Sequence, residues 1–151
     1  MDDAEQIRAL VHSYAHLIDE GDLDGVAALF EHATWRSGRT GAVRRGAAEV
    51  REVFDDVILY DGTPRTQHAI ANLTVISDGG AIATARSSFT VTQALPDFPL
   101  QPILAGRYHD ELERIDGEWR FTDRVVHADL IGDLSRHMRG GTPPPGDSLR
   151  R

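Results

Sequence analysis

Residues 65–94 read RTQHAIANLTVISDGGAIATARSSFTVTQA, and their pattern decides the fold. β-branched and aromatic residues flank Asp78-Gly79-Gly80, a turn sequence, so the stretch predicts two long strands, Arg65–Ser77 and Ala81–Ala94, joined as a hairpin. Alternation places Thr66, His68, Ile70 and Asn72 on one face of the first strand, and Gln67, Ala69, Ala71 and Leu73 on the other. His68 therefore stands where a half-buried strand would ordinarily carry an apolar side chain.

Downstream, Ile103–Ile115 and Trp119–Leu130 read as two more strands around the turn Asp116-Gly117, extending the hairpin into an antiparallel meander. The three prolines of LPDFPLQP, residues 95–102, predict a loop between the second and third strands. Upstream the period is helical. Ile7, Leu10, Val11, Tyr14, Leu17 and Ile18 predict an amphipathic helix over residues 3–19 that closes near Gly21. Asp22 is a natural N-cap for a second, shorter helix with Val26, Leu29 and Phe30 on one side, and Ala47–Asp56 reads as a third. Thr34–Arg36 and Ala42–Arg44 look like short strands around a turn. Helices first and a large antiparallel sheet second predict an α+β fold with the helices over one face of the sheet.

The chain has 151 residues, enough for one domain with a real core, which we place at residues 1–135. Residues 136–151, ending in RGGTPPPGDSLRR, are expected to form a flexible tail. With 16 Lys and Arg against 24 Asp and Glu, the net charge of −8 offers no attraction to nucleic-acid phosphates or anionic lipid. The absence of cysteine removes disulfides, thiolate nucleophiles and Cys-ligated zinc. The acidic start, MDDAEQIRAL, lacks the basic and apolar regions of a leader, and no apolar run is long enough to cross a bilayer, so a cytoplasmic location is expected.

Three stretches, LIDEGDLDGVAALFEHATW, RTQHAIANLTV and AGRYHDELERIDGEWRFTDR, in this order, resemble the SnoaL-like branch of the NTF2-like superfamily up to about His127. The resemblance implies a cone in which helices and a strongly curved sheet enclose a deep, largely apolar pocket, commonly in a homodimer. Within the superfamily the sequence is most similar to scytalone dehydratase and hexachlorocyclohexane dehydrochlorinase, whose catalytic aspartate and histidine fall on Asp19 and His68. The dehydratase's RTQH is matched letter for letter. Its substrate-holding groups are not: its second histidine falls on Gln93, its serine on Gly106, its asparagine on Tyr108, and the tyrosine before its aspartate on Ile18. That argues against scytalone itself as substrate.

The chemistry of such a pair is general. An imidazole, with an ordinary pKa of about 6.5, can take and return a proton near neutrality, and a carboxylate on one ring nitrogen fixes the tautomer and stabilises the imidazolium. Proton abstraction beside a carbonyl or a leaving group leads to elimination, isomerisation or aldol-type cyclisation. The expected protein is thus a lyase or isomerase acting on a small, mostly apolar carbonyl-type molecule, with Asp19 and His68 catalytic and no cofactor or metal. The alternative is a non-catalytic ligand-binding or subunit protein of the same fold.

Tyr108 can donate to a developing oxyanion or serve as a core aromatic, and Asn72 can orient a substrate oxygen or bridge strands. Gln93 is expected only to bind. Trp35, Phe54 and Phe89 are expected as pocket wall or core. Arg124 reads as a salt-bridge former. His12, His16 and Asp19 share a helix side at a spacing metal ligands use, yet a hydrated polar face accounts for them. His127 and Asp129 share a strand face as a weaker second proton-handling pair.

Overall fold

The computed structural model describes residues 1–141 of the chain. Helix α1 (Asp3–Glu20) begins on a capping box. The Asp2 carboxylate accepts from the Glu5 N–H at 2.8 Å and the Glu5 carboxylate from the Asp2 N–H at 3.1 Å, satisfying two donors the helix itself leaves over. Its apolar stripe, Ile7, Val11, Tyr14 and Ile18, is buried. The helix stops at Gly21, where φ is 82° and a Cβ would collide with the Gly62 carbonyl oxygen, so no other residue fits. Helix α2 (Leu23–Ala28) follows at once, with the Asp22 carboxylate accepting from the Gly25 N–H at 2.9 Å. Two short strands, β1 (Thr34–Ser37) and β2 (Val43–Arg45), lead into α3 (Gly46–Val53).

The rest is sheet: β3 (Thr66–Ser77), β4 (Ile82–Leu95), β5 (Phe98–Ile115) and β6 (Glu118–Ile131) form the meander. All six strands join one sheet in the order β2-β1-β6-β5-β4-β3. The pairing of β1 with β6 is parallel, Trp35 lying opposite Arg124, so the sheet is mixed and not wholly antiparallel as the hairpins predict. The reason is topological: β1 comes out of the helices onto the free edge of the last strand, and nothing in its four residues announces that partner.

Register shifts at Ala71/Thr74, Val91/Thr92, Ala105/Gly106 and Glu111/Leu112 each insert an extra residue, and such bulges bend the sheet around the helices. The first of them overturns the simple alternation of β3. Asn72 takes a left-handed φ of 53°, so Leu73 and Val75 return to the inner face while Asn72 is exposed. The prolines also behave differently from expectation. Pro96-Asp97 alone make the turn, Leu95 facing Phe98, and Pro99 and Pro102 lie inside β5. The β6 partners of β5 reach only to Leu104, so both prolines sit where β5 is paired on one side and a missing N–H need break no ladder bond.

Residues 136–141, expected in the tail, are packed. Leu134 and Met138 lie against the core, and the Ile58 N–H donates to the His137 carbonyl at 2.8 Å while the Tyr60 hydroxyl donates to the Arg136 carbonyl at 2.6 Å. Two apolar anchors four residues apart act with these hydrogen bonds to hold the turn down. The remainder of the expected tail, 142–151, lies outside the described residues. Among those described, no helix is long and apolar enough to cross a membrane.

Candidate active site

Asp19 occupies the last turn of α1 and His68 the start of β3, and the fold brings them together across 49 residues. The His68 Nδ1 lies 2.6 Å from one Asp19 carboxylate oxygen. The same carboxylate accepts the His68 backbone N–H at 2.7 Å and the Thr66 hydroxyl at 2.9 Å. Burial alone would push the Asp19 carboxyl up, but the hydrogen bonds and charge of its partners outweigh it and hold the pKa below the ordinary 3.8. An ionised Asp19 favours the proton on His68 Nδ1, which leaves Nε2 for a ligand. Thr66, two residues before the histidine on the same face, is a positioning residue that the sequence pattern assigned no role.

His68 lines a cavity of about 120 Å³ between the helices and the inner face of the sheet. Trp35, Phe54, Phe89 and Tyr108 line it too, so these four expected residues are assembled with the histidine. The volume is near that of an engineered cavity of about 150 Å³ that takes up benzene, which sets the scale of an occupant at roughly one ring. A larger hollow of about 380 Å³, bordered by Arg86, His109 and Glu111, is separate from His68.

Two expected residues are elsewhere. Asn72 lies exposed at the β3 bulge and is not in the cavity wall, because the bulge turns its side chain out. Gln93 is buried but ties the backbone, its amide nitrogen donating to the carbonyls of Pro64 and Arg136 at 3.1 Å each. Nor do His127 and Asp129 pair: Asp129 accepts two hydrogen bonds from Arg107, at 2.7 and 3.1 Å, and the His127 ring lies 4.7 Å from that of His109. No cluster of three or more His, Asp or Glu side chains suited to a metal occurs among the described residues.

Tyr108 is positioned from three sides. Its ring stacks on Phe89 with centroids 4.4 Å apart and meets Tyr14 edge-on at 5.6 Å. The Arg124 guanidinium lies 3.9 Å from its ring centre. Burial, reinforced by the nearby Tyr14, pushes the Tyr108 phenol well up, so it is protonated and able to donate. Arg124 is wholly buried and held by Asp110 through two hydrogen bonds, 2.7 and 2.9 Å, confirming its reading as a salt-bridge former.

One titratable cavity residue had no place among the sequence-based expectations. His137, on the C-terminal turn, lines the cavity with His68, and its Nδ1 is buried without a hydrogen-bond partner among the described residues. Such a group costs about 1–3 kcal/mol when left unpaired. Burial, with His68 adding to it, pushes its pKa down to about 4, so the ring is neutral near pH 7. The signal available in sequence was its position between Leu134 and Met138, which mark the turn as buried.

A helix-covered, bulged sheet closing on an apolar cavity is the NTF2-like, cystatin-like architecture, and comparison with known proteins agrees. The sequence pattern of the SnoaL-like domain matches residues 1–125, and the chain belongs to that family. Among solved structures it is similar to Rv3472 of Mycobacterium tuberculosis, a protein of unknown function, at 30% identity and a TM-score of 0.69, over 83% of this chain and 71% of that one. An NTF2-like protein from Novosphingobium aromaticivorans shares its fold at 22% identity and a TM-score of 0.70, over 84% and 82% of the two chains. A proposed scytalone dehydratase from the same organism does so at 21% identity and a TM-score of 0.70, over 94% and 92%. No curated protein matches the sequence.

Proposed function

We propose that the protein is a lyase or isomerase that removes a proton from carbon with His68, oriented and electrostatically supported by Asp19. The observation that carries this reading is the 2.6 Å contact between His68 Nδ1 and Asp19 at the wall of a largely apolar cavity. His68 Nε2 takes the proton from a carbon next to a carbonyl, and the C–H electron pair moves toward the carbonyl oxygen. A hydroxide or halide on the next carbon then departs in an elimination, or the proton returns at another carbon in an isomerisation. The dyad performs these steps without a resident cofactor. Tyr108 donates to the oxygen that becomes negative. The cavity favours a compact substrate of about one ring, smaller than the polyketides some of the superfamily cyclise. Following the family resemblance, the protein is taken as a homodimer.

The test measures exchange of carbon-bound hydrogen for deuterium, by NMR, in a panel of small cyclic ketones and β-hydroxy ketones. Exchange by the wild-type chain that falls about 10²–10⁴-fold in both His68→Ala and Asp19→Asn supports the reading. Exchange that survives both substitutions overturns it. A second reading, a ligand-binding or subunit protein without catalysis, is favoured by one observation: Gln93, at the position of the dehydratase's second histidine, is committed to backbone carbonyls. Tight binding of a panel member without exchange would decide for it.

A further inference from the structure

The turn that carries His137 is anchored on both sides of the histidine. Gln93 and the Tyr60 hydroxyl converge on the Arg136 carbonyl, at 3.1 and 2.6 Å, fixing the peptide unit that precedes the histidine. On its other side the Ile58 N–H holds the His137 carbonyl at 2.8 Å, and the Arg139 N–H donates to the Asp56 carbonyl at 2.7 Å. These bonds fix the backbone of the turn from which the imidazole projects. The ring itself is buried, and its Nδ1 meets no partner among the described residues. It faces the cavity that His68 and Tyr108 also line, whose other walls are largely apolar. A polar group carried on so firmly held a turn, with its own ring nitrogen left unpartnered, is arranged for something that enters the cavity.

We infer that His137 is the hydrogen-bond donor for the substrate's carbonyl oxygen, and that the substrate is an aldehyde or ketone enolised between two imidazoles. The inference rests on the proton-transfer reading of Asp19 and His68 and assigns the other half of the reaction. As His68 Nε2 takes the α-proton, the C–H pair becomes the new carbon–carbon double bond and the carbonyl π pair moves onto oxygen. That oxygen then lies against a ring N–H of His137 and the Tyr108 hydroxyl. A neutral imidazole suits that position, because it stabilises the enolate without protonating it and adds no charge beside the imidazolium forming on His68. An alkyl halide without a carbonyl would make no use of it.

The experiment uses the full chain and 4-nitrophenol, a one-ring compound whose phenolate imitates an enolate oxygen and absorbs visibly. Bound to the wild-type protein, the probe should ionise at a lower pH than in free solution. His137→Leu, which fills the same space without a donor, should weaken phenolate binding by about tenfold or more. His137→Asn, which restores an N–H near the position of Nδ1, should recover part of the loss. Circular dichroism and thermal melting establish that each variant is folded, and Gln93→Leu, which loosens the turn while keeping the imidazole, should give an intermediate affinity. Equal phenolate affinity in the wild type and His137→Leu, or no phenolate binding by the wild type, overturns the assignment. The dyad reading is judged separately, by deuterium exchange in His68→Ala and Asp19→Asn, so the two can fail independently.

Discussion

The Asp19 carboxylate grips His68 twice, through the ring Nδ1 at 2.6 Å and the backbone N–H at 2.7 Å. One contact sets the imidazole and the other sets the strand that carries it. Together with the Thr66 hydroxyl, they join the end of α1 to the start of β3.

Asp19→Asn should therefore lower stability as well as turnover, since hydrogen bonds to a charged acceptor are worth about 1.5–3 kcal/mol each. The pH dependence has a definite sign. The folded-state pKa lies below the ordinary 3.8, so the stabilisation is complete above that value and is lost as pH falls through the lower folded one. Denaturant titrations between neutral and acid pH should show a steeper loss in the wild type than in Asp19→Asn.

His137 should make the protein acid-sensitive at higher pH. Its folded pKa of about 4 lies below the ordinary 6.5, so the unfolded chain binds the extra proton first and stability falls as pH drops from 6.5 toward 4. The loss amounts to at most about 3 kcal/mol. His68 and Asp19, the charged or titratable groups closest to it electrostatically, act in opposite directions on the ring. In His137→Leu, stability measured by chemical denaturation should vary less across this window. An unchanged slope in that variant would show that another group is responsible.

The buried Arg124–Asp110 pair supports the Tyr108 ring from below. Asp110→Asn should destabilise the fold by about 3–5 kcal/mol, because it strands a guanidinium that has no accessible surface. Thermal melting of Asp110→Asn against the double variant Asp110→Leu with Arg124→Met checks the cause: the double variant should recover much of the loss.

Asn72 offers the contrasting case of a residue outside the cavity. With φ at 53°, Asn72→Gly should leave stability unchanged or raise it slightly, whereas Asn72→Val should cost about 1–2 kcal/mol. Neither should alter turnover. A large effect of Asn72→Gly on deuterium exchange would return this residue to the site.

The elements legible in sequence were those whose signal is local. Alternation and turn residues located β3 to β6, and helical spacing with Gly21 and Asp22 at the ends located α1 and α2. Asp19 and His68 were legible because the motif around each is short and contiguous, and Trp35, Phe54, Phe89 and Tyr108 because an inward aromatic serves core and cavity alike. What failed was non-local. The parallel edge pairing of β1 depends on a strand nearly ninety residues away. The bulge that expels Asn72 arises from a register shift against β4, which alternation within β3 alone does not encode. His137 was hidden because polar residues and glycines after Met138 made the whole end of the chain read as tail.

The bonding of Asp19 bears on how relatives of this protein are interpreted. Because the residue fastens a helix to a strand whether or not any reaction occurs, selection for folding alone is enough to preserve it. A descendant that had abandoned chemistry and kept the cavity for carrying a ligand would retain the aspartate long after the histidine's proton had lost its use. Inheritance of the aspartate is thus a record of architecture, and only the behaviour of His68 toward a bound molecule separates a working enzyme from its retired kin.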